Sequence, residues 1–523
     1  MDASNTPAGY SERLYNEDLA PVTERTWTGY SLFAMWMADV HSIGGYTFAA
    51  GLFFLGLAGW EVFLALLVGI TIVYFLMNLT GIAGQRHGVP YPVLSRLSFG
   101  LFGANIPALI RAIIAIFWYG IQTWLASVAV VILLLAIFPG LEQYTENSIL
   151  GLSTLGWVCF LILWAVQLFV LRHGMETVRR FVDWAGPAIY VAMFALAIWI
   201  VIESGGRIDF SLGSKELSTG GAILAFFTAA SLVVAYFSTL LLNFCDFSRF
   251  SPTERMVKVG NFWGLPVNFT AFSLVTVVVT AGSVALYGEA ITDPVELVSR
   301  IPNTLVLIIG AVTFAIATIG INIVANFVSP AYDLANVAPK YINFRRGGLI
   351  TALLALLVTP WNIYNSPVAV NYFLGGLGAF LGPLFGIIVV DYYLVKRGRV
   401  DVEGLYRAEA SSPYWYERGI NRHAVWVFVI SAAVAAVIAL VPMFGPVAPF
   451  SWFVGAGLSG ALYWATARRA ERAPRSHRAR RPRSRAWEEQ IMAQRSGVKG
   501  ECWRGTNPAG IIVGFPIVGR EDL

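Results

Sequence analysis

The chain has 523 residues, of which 57% are hydrophobic and only 13% charged, with a net charge of +5. A soluble protein carries about 25% charged residues, so the composition excludes an ordinary soluble enzyme and points to a polytopic membrane protein. The mean hydropathy of +0.66 agrees. Three scattered cysteines, Cys159, Cys245 and Cys502, form neither a disulfide framework nor a zinc motif.

Residues 1–28 are polar and mixed in charge, and are expected to form a cytoplasmic N-terminal segment rather than a cleaved leader. Apolar runs long enough to cross a bilayer, about 20 residues each, then follow. They fall at 29–53, 57–81, 105–138, 152–171, 183–203, 221–244, 260–287, 303–328, 347–364, 368–395, 423–443 and 447–467. The pattern predicts an all-α protein of twelve transmembrane helices. With the N-terminus inside, the even-to-odd loops carry Arg86, Arg96, Arg172, Arg179, Arg180, Arg249, Arg255, Lys258, Lys340, Arg345, Arg346, Lys396, Arg397 and Arg399. The opposite loops hold only Arg207, Lys215 and Arg300. Basic residues favour the cytoplasmic side, so both termini are expected there, in a cell membrane.

The first span holds Asp39, His41, Ser42 and the pair Gly44-Gly45 in its middle. A charged group there costs about 2.5–3.5 kcal/mol on insertion scales, and adjacent glycines weaken a helix. Broken helices of this kind form midplane sites in secondary transporters. The sixth span is interrupted too, with Thr228, Ser231, Ser238 and Thr239 around Tyr236-Phe237, then Asn243 and Asp246. Spans 1 and 6 correspond if the first ten helices are two halves of five. The expected fold is therefore a five-plus-five inverted repeat with discontinuous helices 1 and 6 over residues 29–396. A cytoplasmic loop (397–422) and two further helices (423–467) follow.

After Ala467 the chain becomes rich in arginine and proline. Residues 468–523 are expected to be a disordered, headgroup-associated basic tail rather than a nucleic-acid arm. Within span 3, Trp118 and Gln122 lie four apart and share a helix face. An indole beside an amide offers a flat surface with one donor and one acceptor, which suits a planar heterocycle with amide edges. Asn322 and Asn326 repeat the spacing on span 8. Taken alone, the first pair reads better as helix packing and the second as interhelical hydrogen bonding; together with the broken span they exceed what packing needs. The five histidines are scattered, and no nucleotide-binding, hydrolase or metal motif is present. Neither an enzyme nor a cofactor is expected, and the bilayer and a small solute are the implied partners.

Ordered phrases along the chain resemble the nucleobase–cation symporter-1 family, carriers of purines, pyrimidines, allantoin and hydantoins. They include NEDLAP at 16–21, GVPYPVLSRLSFGLFGANIPALIRA at 88–112, NFCDFSRF at 243–250, the NxxANxxSPAYDLAN phrase at 322–336, GPLFGIIVVDYYL at 382–394 and YWYERGINRHA at 414–424. The resemblance implies alternating access and assigns roles. Trp118 matches a stacking tryptophan, Gln122 and Asn326 match substrate-binding amides, and Phe237 falls where a hydantoin-carrying relative has a second stacking tryptophan. His41 falls where that relative has a glutamine, and Asn322 joins the same substrate set.

Sodium-coupled relatives place two hydroxyls just before the first asparagine of helix 8, where this chain has Gly320 and Ile321; with Ala317, the sodium-site positions are degenerate. Asp39 and His41 are titratable and could carry a proton instead. The expectation is a proton-coupled importer of a nucleobase or related heterocycle. An uncoupled facilitator and an amino-acid carrier of the same fold are the alternatives.

Overall fold

The structure, a computed structural model, describes residues 6–210, 217–364 and 367–472. The basic tail therefore lies almost wholly outside the described residues. The first half comprises α1 (Gly29–Val40), α2 (Ile43–Gly51), α3 (Gly59–His87), α4 (Tyr91–Phe99), α5 (Asn105–Ile137), α6 (Thr154–Arg172) and α7 (Met175–Glu203). The second comprises α8 (Thr219–Tyr236), α9 (Ser238–Asn243), α10 (Cys245–Ser248), α11 (Glu254–Phe262), α12 (Asn268–Tyr287), α13 (Pro294–Ser299), α14 (Thr304–Ile321), α15 (Ser329–Val337), α16 (Phe344–Val358), α17 (Trp361–Tyr364) and α18 (Pro367–Val390). Then come α19 (Arg422–Leu440) and α20 (Ser451–Arg472). Wide π turns at Trp263–Val267 and Asn322–Val328 join α11 to α12 and α14 to α15 into continuous helices.

One order of elements occurs twice: a broken helix, a long helix, a short helix, a long helix and two more. Packing repeats with it. The second long helix packs on the helix after it in each half, α5 on α6 and α15 on α16. The first long helix packs on the broken helix of the other half, α3 on α8 and α11 on α1. This exchange fits the expected inverted repeat.

Among the described residues, nine helices are long and apolar enough to cross a membrane. The other three predicted runs form the broken pair α1–α2, the 15-residue α16, and α20. The ninth run was expected to continue to 364, but α16 ends at Val358. Thr359 is left-handed there (φ 44°) and precedes Pro360, whose ring disfavours helix in the residue before it. Exposed Ile162, Phe169, Val191 and Ile202 line outward faces, as hydrocarbon solvent allows and water does not.

Two of the counted loop arginines are not loop charges. Arg96 is fully buried in α4 and donates to Asn336 Oδ1 at 2.6 Å and the Leu405 carbonyl at 2.9 Å. Arg249 is buried as well and donates to the Asp18 carbonyl at 3.1 Å. The N-terminal segment straps this end of the bundle together. Asn16 Nδ2 reaches the Ile342 carbonyl (3.0 Å), Asp18 Oδ2 accepts the Phe344 N–H at the start of α16 (2.8 Å), and Tyr406 Oη donates to the Leu19 carbonyl (2.6 Å). Lys340 pairs with Glu12 at 3.1 Å. The strap thus sits at the end bearing the basic loops.

Candidate functional site

The site forms where two helices stop. After Val40 the backbone leaves the helical region at His41 (ψ 63°) and Ser42 (ψ 162°), and Ser42 Oγ starts α2 by accepting the Gly45 N–H at 2.9 Å. A Cβ on Gly45 would lie 2.7 Å from the Val40 carbonyl oxygen, and one on Gly44 would lie 3.1 Å from Gln122 Nε2. The two glycines therefore serve different ends: one permits the break, and the other lets the Gln122 amide lie against it. Gly45→Ala is expected to cost about 1–3 kcal/mol by overpacking and to weaken substrate binding. Thermal melting of purified protein alongside uptake kinetics checks this.

The second break is at Phe237 (φ −84°, ψ 0°), between α8 and α9. Between the two breaks lies a cavity lined by Asp39, Trp118, Gln122, Tyr236, Phe237, Thr239, Leu240, Ile321, Ala325 and Asn326. Its volume is about 30 Å³, room for a water and not for a heterocycle, so a ring enters only when the aromatic walls or the helices part. Gln122 Oε1 and Asp39 Oδ1 are buried and meet no protein partner. Buried polar atoms are normally paired, so the cavity holds unspent capacity to bind hydrogen.

Of the residues singled out from sequence, the structure brings Trp118, Gln122, Phe237, Asn326 and Asp39 to one cavity. It does not bring two others there. His41 turns away, its Nδ1 lying 2.7 Å from Tyr46 Oη and its ring packed edge-on against Tyr190 at 4.4 Å. Asn322 is fully buried behind the wall, its Nδ2 within 3.0 Å of the Tyr119 carbonyl, Thr123 Oγ1 and Gln167 Oε1. The sequence reading missed Tyr236, Thr239, Leu240 and Ala325 as lining residues; Tyr236 and Thr239 were visible only as part of the interruption in span 6.

The structure also places the three positions that the family resemblance assigns to a sodium site. Ala317 is fully buried, Ile321 lines the cavity, and Gly320 faces α1. A side chain at Gly320 would begin 3.3 Å from Ala38 Cβ and 3.7 Å from the Ala38 carbonyl oxygen, with the Phe181 ring at 3.8 Å. The junction of α1 and α14 thus offers a backbone carbonyl and a phenyl ring at that point, with no hydroxyl on residues 320 and 321. The nearby α14 hydroxyl, Thr318 Oγ1, accepts the Ile43 N–H at 3.4 Å.

A family model described as permeases for cytosine/purines, uracil, thiamine and allantoin matches residues 20–455. The chain belongs to this family, nucleobase–cation symporter-1. It is 39% identical over 457 residues to the allantoin permease of Bacillus subtilis, covering 87% of this chain and 93% of that one. It is 34% identical to the purine-uracil permease NCS1 of Arabidopsis thaliana, covering 83% and 73%. The fold matches Mhp1, a nucleobase-cation-symport-1 family transporter solved in a closed conformation with bromovinylhydantoin bound. That match has a TM-score of 0.72 at 24% identity and covers 87% of this chain and 95% of the other. Members of the family are permeases, so the protein is a multi-pass membrane transporter and not an enzyme.

Proposed function

We propose that this permease imports a planar ring with ureide or amide edges, of the allantoin, hydantoin or uracil kind, by alternating access and in symport with a proton. The observation that carries this reading is the cavity between the two helix breaks, where an indole, two carboxamides and a carboxyl group come together. Trp118 and Phe237 offer ring faces for stacking, and Gln122 and Asn326 offer hydrogen bonds to the ring's edge. Asp39 carries the proton: a bare carboxylate buried in the membrane is costly, and a proton or a substrate N–H removes that cost. His41, just past the end of α1 and turned from the cavity toward Tyr46 and Tyr190, is the second titratable group of the proposed proton path. Sodium is disfavoured because residues 320 and 321 supply no hydroxyl and α14, unbroken through Ile321, commits its carbonyls to its own ladder.

The strap's position at the basic end supports cytoplasmic termini and a cell-membrane location. The transport core in this reading is 29–396, with 397–422 a cytoplasmic loop, 423–467 two added helices, and 1–28 and 468–523 outside the membrane. Gln122→Ala tests the site. With protein inserted normally, the half-saturating substrate concentration should rise by about 5- to 150-fold, the cost of stranding a buried polar group. Unchanged uptake kinetics would remove Gln122 from the site.

A further inference from the structure

We propose that Asn322, gripped by Gln167 of α6, is a positioning residue that fixes the Asn326 carboxamide with its oxygen left for the substrate, so that the site selects a ring bearing an N–H there. The inference rests on the cavity being the substrate site.

The polarity of this chain of amides is set by groups that act in one sense only. Gln167 Nε2 lies 3.2 Å from the Leu163 carbonyl, which accepts and never donates. The Gln167 nitrogen therefore faces Leu163, and its Oε1 faces Asn322 Nδ2 at 2.8 Å. Asn322 is fixed a second time by the Tyr119 carbonyl, 3.0 Å from the same nitrogen. Thr123 Oγ1 donates its one proton to that carbonyl at 2.7 Å. Towards Asn322 Nδ2 (2.9 Å) and Gln167 Nε2 (3.2 Å) it is thus an acceptor. With its nitrogen turned to three acceptors, Asn322 has its Oδ1 for Asn326, whose Nδ2 donates to it at 3.1 Å.

Asn326 is the last member and the one that lines the cavity. One of its amide hydrogens is spent on Asn322, and its oxygen is the end left to meet a substrate. Gln167 and Asn322 are fully buried, and Thr123 is 1% and Asn326 4% exposed. No bulk water is available to relax a reversed amide, so flipping Asn326 would set its oxygen against the Asn322 oxygen with no hydrogen between them. The anchors, Leu163 on α6 and Tyr119 on α5, lie on neighbouring packed helices, and α6 contributes no residue to the cavity wall. Gln167 therefore does not touch the substrate and acts on it through Asn322 and Asn326.

The test is a discrimination ratio, which a loss of folded protein leaves unmoved. The best-transported ring among allantoin, hydantoin and uracil serves as labelled parent. Competitors are its ring analogues in which one or the other N–H is replaced by oxygen or methylene. Wild-type protein should reject at least one analogue by about tenfold or more relative to the parent, as a site with a fixed acceptor rejects a ring that leaves it unpaired. Asn322→Leu should bring that ratio close to one, and Gln167→Met should lower it part of the way. Gln167→Glu, whose neutral acid keeps an acceptor for Asn322, should retain it. If Asn322→Leu does not insert, the wild-type ratio and the two Gln167 variants decide. Wild-type protein that takes every analogue as well as the parent, or an unchanged ratio in inserted Gln167→Met and Asn322→Leu, overturns the inference while leaving the transport reading intact. Failure to take up any of the three rings removes the reading and the inference with it.

Discussion

Replacing Trp118 with alanine is expected to raise the half-saturating substrate concentration by about 5- to 150-fold, because stacking a base on an aromatic side chain is worth about 1–3 kcal/mol by alanine substitution. Trp118 lines the cavity with Gln122, four residues on and one turn along α5, so one side chain meets the ring's face while the other meets its edge. Trp118→Phe keeps a ring face and should recover most of the loss. Phe237 lines the same cavity from the break between α8 and α9, and Phe237→Ala should act in the same direction. Uptake of labelled ring into cells, normalised to protein in the membrane, measures all three. An alanine variant with unaltered kinetics would show that the ring does not stack there.

The second large effect belongs to Asp39. Asp39→Asn preserves the volume at the end of α1 but cannot exchange a proton, and is expected to abolish accumulation of substrate against its gradient. Exchange of internal for external substrate should continue, because the stacking and amide groups are untouched. With one proton moved per substrate, a pH difference of one unit supports about tenfold accumulation; the variant should stop at equality. Equal accumulation by Asp39→Asn and wild type would move the coupling group elsewhere.

The break in helix 1 was legible because its cause is local: Gly44 and Gly45 beside Asp39 and His41 conflict with an uninterrupted helix. The Trp118–Gln122 pair was legible for the same kind of reason, a spacing of four on one continuous helix. What the spacing rule missed came from tertiary context. Asn322 and Asn326 have the spacing of a shared face, yet they fall in a π turn where one amide holds the other from behind. His41 has the chemistry of a site residue, but just past the end of α1 its ring turns toward Tyr190 and Tyr46. Gln167 carried a faint signal, a lone amide in the otherwise apolar 154–171 run, whose meaning depends on contacts about 155 residues away in sequence. Arg96 and Arg249 were counted as loop charges because sequence shows their neighbours and not the strap and short helix that bury them.

The most direct measurement is substrate accumulation by purified protein in liposomes, with a pH gradient imposed at equal sodium and then a sodium gradient imposed at equal pH. The account predicts concentrative uptake of the planar ring driven inward by the pH gradient, collapse of that uptake on adding a proton carrier, and no accumulation from sodium alone. Accumulation driven by sodium at fixed pH would contradict it, and equilibration under both gradients would make the protein an uncoupled facilitator.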